Sequence, residues 1–159
     1  MMFKTIGCAL VMLTSCAVSM ILSLKVKQTL VAFTEVHGLL SHIKRNILAY
    51  RTPIETILAE YSSEYLDSIG FTDAVRAEGL CAAFSRGYLP LTAEAEDLLI
   101  DFAASLGGSL AESEVKRCEI YIERLCEMEA AYKESAEQNR DLYRLLPPLG
   151  GISLIIILI

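Results

Sequence analysis

The run that most constrains this chain is Thr5 to Leu24, TIGCALVMLTSCAVSMILSL, twenty residues without a charge between Lys4 and the pair Lys25 and Lys27. As a helix rising about 1.5 Å per residue it is ~30 Å long, the thickness of a bilayer's hydrocarbon core. The run therefore reads as a membrane-spanning helix. A piece inside it, Leu13 to Cys16 (LTSC), also fits the pattern at which bacterial lipoproteins are cut, which would place a lipid on Cys16. A lipoprotein needs a polar tether after the cut, whereas AVSMILSL stays apolar for eight more residues, so the spanning reading is preferred. Ser15, Ser19 and Ser23 recur every fourth residue and line one stripe of the span. Such a stripe lets a second helix approach closely; alternatively each hydroxyl bonds back to the carbonyl four residues earlier.

A second apolar segment, LLPPLGGISLIIILI, occupies 145–159. Proline suits a helix's first turn and not its interior, so the sequence predicts a new helix starting near Pro148. Twelve residues from there make ~18 Å, too short to cross a ~30 Å core unaided. If the prolines only kink a continuous helix, the segment borrows length from YRLL before it. Gly150 and Gly151 would admit a close neighbour and join the three serines as candidate membrane-packing residues.

A hydrophobic fraction of 53% and a mean hydropathy of +0.44 are high for a soluble chain of 159 residues, which assigns part of the apolar count to lipid. Residues 1–51 hold six bases against one acid, and 52–159 hold eight bases against nineteen acids. Lys25, Lys27, Lys44, Arg45 and Arg51 follow the span while Lys4 alone precedes it, so the middle of the chain is expected in the cytosol. The acidic balance, without a basic stripe interleaved with aromatics, argues against nucleic-acid binding.

The middle is expected to be wholly helical. Leu30, Phe33, Val36, Leu40, Ile43 and Ile47 recur every three or four residues and carry the first helix on to about Tyr50. Thr52, Pro53 and Glu55 form a capping box for a helix running to about Ile69 and closing at Gly70. Thr72 caps a helix ending at Gly87, and Thr92 caps one, with Glu94 and Glu96 in its first turn, ending at Gly107 and Gly108. A long polar helix follows from Ala111 to Leu146, with Val115, Cys118, Ile122, Leu125, Met128, Tyr132, Ala136, Asn139, Tyr143 and Leu146 as its packing stripe. The fold class is thus all-α, divided into a transmembrane helix with flanks (1–27), a cytosolic helical bundle (28–146) and a C-terminal hydrophobic membrane segment (147–159).

Little in the chain suggests reaction chemistry. Five cysteines without a CxxC pair fit a reducing compartment, with Cys118 and Cys126 as ordinary helix residues. His37 and His42 are five apart, off the shared face a metal would need, and read as packing or surface residues. Glu119, Glu123 and Glu127 share a face that a basic partner could meet, although a charge run on a long helix is usually solvated. No glycine loop cradles phosphate and no nucleophile has a base beside it, so neither an enzyme, a small-molecule substrate, a metal nor a cofactor is expected.

The order of signals resembles the stage III sporulation protein AB family. The resemblance is carried by LLSHIKRNILAYRTPIETIL, in which Ile47, Tyr50, Thr52 and Pro53 fit an I-x-Y-x-x-T-P element, by LPLTAEAEDLLIDFAASLG with Leu106 and Gly107, and by EQNRDLYRLLPPLGGISLIIILI with Asn139 and Tyr143. Pro147 stands where that family usually has a glycine. The soluble part of the family is similar to the cytoplasmic helical domain of type II secretion F proteins. The resemblance implies a non-enzymatic scaffold in the channel complex between mother cell and forespore, in the mother-cell membrane facing the forespore. Its implied partners are other membrane subunits of that channel, a cytosolic secretion-type ATPase and the bilayer itself. Without the resemblance, the residues fit equally a generic membrane-anchored helical adaptor or regulator unrelated to sporulation.

Overall fold

The computed structural model describes the backbone of residues 2–50, 53–107 and 110–158, and the side chains of 13, 14, 17–49, 53–107 and 110–139. Seven helices follow one another: α1 (Met2–Tyr50), α2 (Ile54–Glu60), α3 (Glu64–Ser68), α4 (Phe71–Glu78), α5 (Leu80–Ser85), α6 (Ala93–Ser105) and α7 (Ala111–Leu158). No strand occurs among the described residues. The chain divides into two compact units, one of Thr29–Ala130 and one of Met1–Gln28 with Ala131–Ile159.

In the first unit the core follows the expected spacing. Ala32, Phe33, Val36, Leu39, Leu40, Ile43 and Ile47 of α1 are buried, one stripe of a 3.6-residue period. The same unit also buries Ile57 of α2, Leu66 of α3, Phe71 and Val75 of α4, Leu80 and Phe84 of α5, Leu99 and Phe102 of α6, and Cys118 and Leu125 of α7. The rings of Phe71 and Phe84 pack tilted at 5.2 Å, joining α4 to α5. Each fully buried Leu, Ile or Phe contributes on the order of 1.5–3 kcal/mol over its exposed state, and no disulfide is needed to hold so many together.

Three boundaries differ from the sequence reading. The helix expected from Thr52 to Ile69 is broken: Tyr61 is extended (φ −72°, ψ 129°), and so is Ser63 (φ −138°, ψ 132°), the N-cap of α3. Thr52 lies outside the described residues, and Pro53 stands at the N-cap of α2 without a side-chain bond. Thr72 is not a cap; α4 starts at Phe71 after Gly70, two residues earlier than a cap at Thr72 would place it, and Thr72 is buried within it. The helix expected to reach Gly87 is interrupted at Gly79 (φ 91°, ψ 167°), a backbone conformation open essentially to glycine alone.

The cap expected at Thr92 is made, its Oγ1 accepting the Ala95 N–H at 3.4 Å. The last helix continues beyond Leu146 through Pro147 and Pro148 to Leu158, which is the continuous-helix alternative. Both prolines lack the N–H that would bond four residues back, a loss that helices in apolar surroundings tolerate when other donors compensate.

Within α1, Ala17–Ala49 is long and apolar enough to cross a membrane. Much of that stretch is the bundle's own core, since Ala32 to Ile47 supplies the buried stripe. The lipid-compatible portion lies before it: Leu13, Val18, Met20, Ile21 and Leu24 are all at least 50% exposed. Large apolar side chains crowded on one exposed stretch mark contact with a partner or a membrane.

Candidate interaction surfaces

Two places tie the outer helices to the bundle, and they use different chemistry. At the first, α6 and α7 are joined by polar and aromatic contacts. Tyr121 Oη donates to Asp101 Oδ2 at 2.5 Å, and its ring lies 5.2 Å from that of Phe102. The bond to Asp101 is the main reason the Tyr121 phenol titrates above its ordinary range, with burial adding to it. Arg117 donates to the Ser105 carbonyl at the end of α6 and lies 3.3 Å from the carboxylate of Glu114, itself only 3% exposed. A charge-assisted pair at such a junction fixes where α7 begins.

Cys118, one turn further, is fully buried, and burial first, with Glu114 second, pushes its thiol up to about 11. In the expected stripe of α7, Cys118 and Leu125 are buried while Val115, Ile122, Met128, Tyr132, Ala136 and Asn139 are half-buried. Tyr143 and Leu146 lie outside the described side chains.

At the second place a face of α1 other than its apolar stripe meets the break between α2 and α3. Glu35, Gly38 and His42 stand at i, i+3 and i+7, which lines them along one side of the helix. Ser63 Oγ donates to Glu35 Oε2 at 2.5 Å, and the Tyr61 ring stacks tilted on His42 at 5.0 Å. The Tyr61 hydroxyl lies 3.4 Å from where a β-carbon on Gly38 would be, so a methyl there would touch the phenol and a longer side chain would press on it. Burial raises the Tyr61 phenol, with Glu35 and Asp67 adding, and burial followed by Glu35 raises that of Tyr65. Burial lowers His42, Arg45 lowers it further, and Glu60 opposes them. Asp67 is held low by the hydroxyls of Thr72 and Ser62.

Ser63 Oγ donates to Glu35 and makes no capping bond to α3. Donating uses the hydroxyl's hydrogen and capping would use its lone pairs, so the two bonds do not compete; the first turn of α3 stays uncapped because the side chain is aimed at α1. Beneath the break, Leu39, Leu58, Tyr61, Leu66, Phe71, Thr72 and Val75 line a recess of about 10 Å³. That is the lower limit for one water and far below the room a cofactor needs.

The residues singled out in the sequence are scattered over these surfaces. Glu119 pairs with Lys44 of α1 at 2.8 Å, so the first member of the acidic stripe is engaged within the chain, while Glu123 and Glu127 stand exposed. Ser23 Oγ donates to the Ser19 carbonyl at 3.0 Å. Ser15, Gly150 and Gly151 fall outside the residues whose side chains or surroundings are described, although both glycines lie on the helical path of α7. Cys81 and Cys126 are exposed free thiols. Among the described residues no three His, Cys, Asp or Glu side chains converge as a metal site would require. Sequence reasoning missed Glu35, Gly38 and Ser63. The available signal was that Glu35 is the lone acid before residue 52 and shares a helical face with Gly38 and His42.

What lies on these surfaces is helix-to-helix attachment within the unit Thr29–Ala130. Residues 4–159 match the model of one family, described as stage III sporulation protein AB. The chain belongs to that family. No curated protein and no solved structure matches it. The match to stage III sporulation protein AB takes in both apolar ends and the whole bundle, and it gives the chain a role in sporulation. Together with the exposed apolar stretch of α1, membership indicates association with a membrane.

Proposed function

We propose that this protein is a non-enzymatic scaffold subunit of the channel complex between mother cell and forespore, anchored in the mother-cell membrane, with its bundle in the cytosol as a platform for a secretion-type ATPase. The observation that carries the reading is that α1 is one uninterrupted helix, Met2–Tyr50, serving both as the lipid-compatible stretch and as the central core helix of the bundle. A partner seated on the bundle is thereby held by the same chain segment that carries the lipid-compatible stretch. The unit Thr29–Ala130 is acidic, with seventeen acids against eight bases, which favours a partner presenting Lys and Arg and raises its rate of encounter. The bundle, the anchor and family membership are compatible with the likeness to type II secretion F proteins and with other membrane subunits of the channel as neighbours.

Deleting the gene in its endospore-forming host tests the reading: development is expected to stop after engulfment, and full-length protein from cells in that stage is expected to co-purify with the ATPase. Normal spores in the deletion strain, or an ATPase that never accompanies the protein, would sink it. Orientation has a separate readout, because Cys81 and Cys126 are exposed on the bundle. An impermeant maleimide should leave them unlabelled in intact cells and label them after permeabilisation.

A further inference from the structure

Residues 54–68 are bent at Ser62–Ser63, residues that favour helix starts over helix interiors, although an apolar pattern runs through the bend. IETILAEYSSEYLDS contains neither glycine nor proline. Continued as one helix it would line Ile54, Ile57, Leu58, Tyr61 and Tyr65 along a single face, at i, i+3, i+4, i+7 and i+11. The break at Tyr61–Ser63 forgoes that continuity, and α3 then starts without a side-chain cap. The bend is held locally by Ser62 Oγ donating to Asp67 Oδ2 at 2.7 Å, from α4 by Arg76 donating to the Ala59 carbonyl at 3.4 Å, and from α1 by the Ser63 bond to Glu35, the Tyr61 ring on His42 and the phenol beside Gly38. Both halves are short, seven and five residues. The packing beneath them leaves the recess lined by Leu39, Leu58, Leu66 and Phe71 incompletely filled.

We propose that 54–68 is a two-state strap, bent and docked on α1 in this structure and able to straighten into one helix, uncovering Leu39, Phe71 and Val75 while α6 and α7 stay in place. Local preference and tertiary contact pull the same segment toward different shapes, which is the condition for a bistable element. The latch is the hydroxyl-to-carboxylate bond from Ser63 to Glu35. Gly38 is the seat, because any long side chain there would displace the Tyr61 hydroxyl. Straightening releases both contacts together, since Tyr61 and Ser63 turn with the same backbone. The inference concerns the bundle alone and stands whether or not the ATPase is the partner.

The test uses the full chain in lipid nanodiscs, comparing Ser63→Ala and Gly38→Leu with the conservative Ser63→Thr. Both disruptive variants should raise amide exchange at least tenfold in peptides covering 54–68 and 71–75, leaving those covering 93–105 and 118–139 at wild-type rates. In protein labelled with 13C at tyrosine Cα, the Tyr61 resonance should move from the extended to the helical range. Ser63→Thr, which keeps the hydroxyl, should behave as wild type in both readouts. Unchanged exchange in both disruptive variants, a rise spread over every peptide, or a Tyr61 resonance that stays extended or turns random-coil would overturn the proposal. Gly38→Leu leaves the strap's own sequence intact, so it decides the matter if Ser63→Ala fails to fold.

Discussion

Thr92 and Ser63 both stand at the N-cap of a helix, and their hydroxyls do opposite things. Thr92 Oγ1 accepts the Ala95 N–H and closes the first turn of α6, whereas Ser63 Oγ donates across 28 residues to Glu35. The α6–α7 region behind Thr92 agrees with its local signals: the cap is made, Glu94 and Glu96 sit in the positive first turn, and Phe102 is fully buried against Tyr121. In the strap the Ser63 hydroxyl is aimed at a distant partner and the local cap is not made. The difference teaches that a residue can stand at a helix start and still leave the first turn without its side-chain bond when a partner on a neighbouring helix orients the hydroxyl away.

The largest way to break this contrast lies on the Thr92 side. Phe102→Ala should cost about 3–5 kcal/mol, the usual range for a buried phenylalanine, seen as a lowered midpoint in chemical unfolding of the detergent-solubilised chain. A loss under 1 kcal/mol would mean that this half is no firmer than the strap.

Second comes the dependence on pH. A thiol raised to about 11 in the fold, from an ordinary 9.0, favours the protonated folded state. Its contribution to stability is complete below pH 9 and is lost as pH rises toward 11. The thermal midpoint of wild type should therefore fall more steeply across that window than that of Cys118→Ala. The same burial predicts that a thiol reagent at pH 8 modifies Cys81 and Cys126 while sparing Cys118.

Thr92→Ala should cost about 1 kcal/mol by the loss of one cap, and Thr92→Ser much less, measured by the same unfolding curves. Smallest is Lys44→Ala: its pair with Glu119 is partly solvated, so about 0.2–1 kcal/mol is expected, shrinking further at high salt. An effect of several kcal/mol there would show that the attachment of α7 to α1 rests on charge and not on the buried stripe.

Most of the architecture was legible because it rests on periodicity. The stripe from Phe33 to Ile47 specifies a long helix with one buried face, and Thr92 specifies a start, without reference to anything distant. The boundaries at Ser63, Phe71 and Gly79 were not legible, for three physical reasons. Ser63 answers to Glu35, a residue remote in sequence. The threonine at 72 follows a glycine whose left-handed conformation (φ 75°) already turns the chain into α4, so the hydroxyl is carried inside and not left as a cap. Gly79 sits inside a pattern that reads as continuously helical, and only its backbone reveals the turn. For the surfaces, the acidic stripe was visible as a spacing, but that Glu119 is engaged by Lys44 depended on which face of α1 came to lie beside it.

Gly79 also has a consequence for how this family can vary. One base change in a glycine codon yields Ala, Val, Ser, Cys, Arg, Trp, Asp, Glu or a stop, and every amino acid among these carries a β-carbon. At φ 91° and ψ 167° none of them fits without strain. A substitution there carries backbone strain on the order of 1–3 kcal/mol, so a variant that keeps the turn between α4 and α5 needs a compensating gain elsewhere in the bundle.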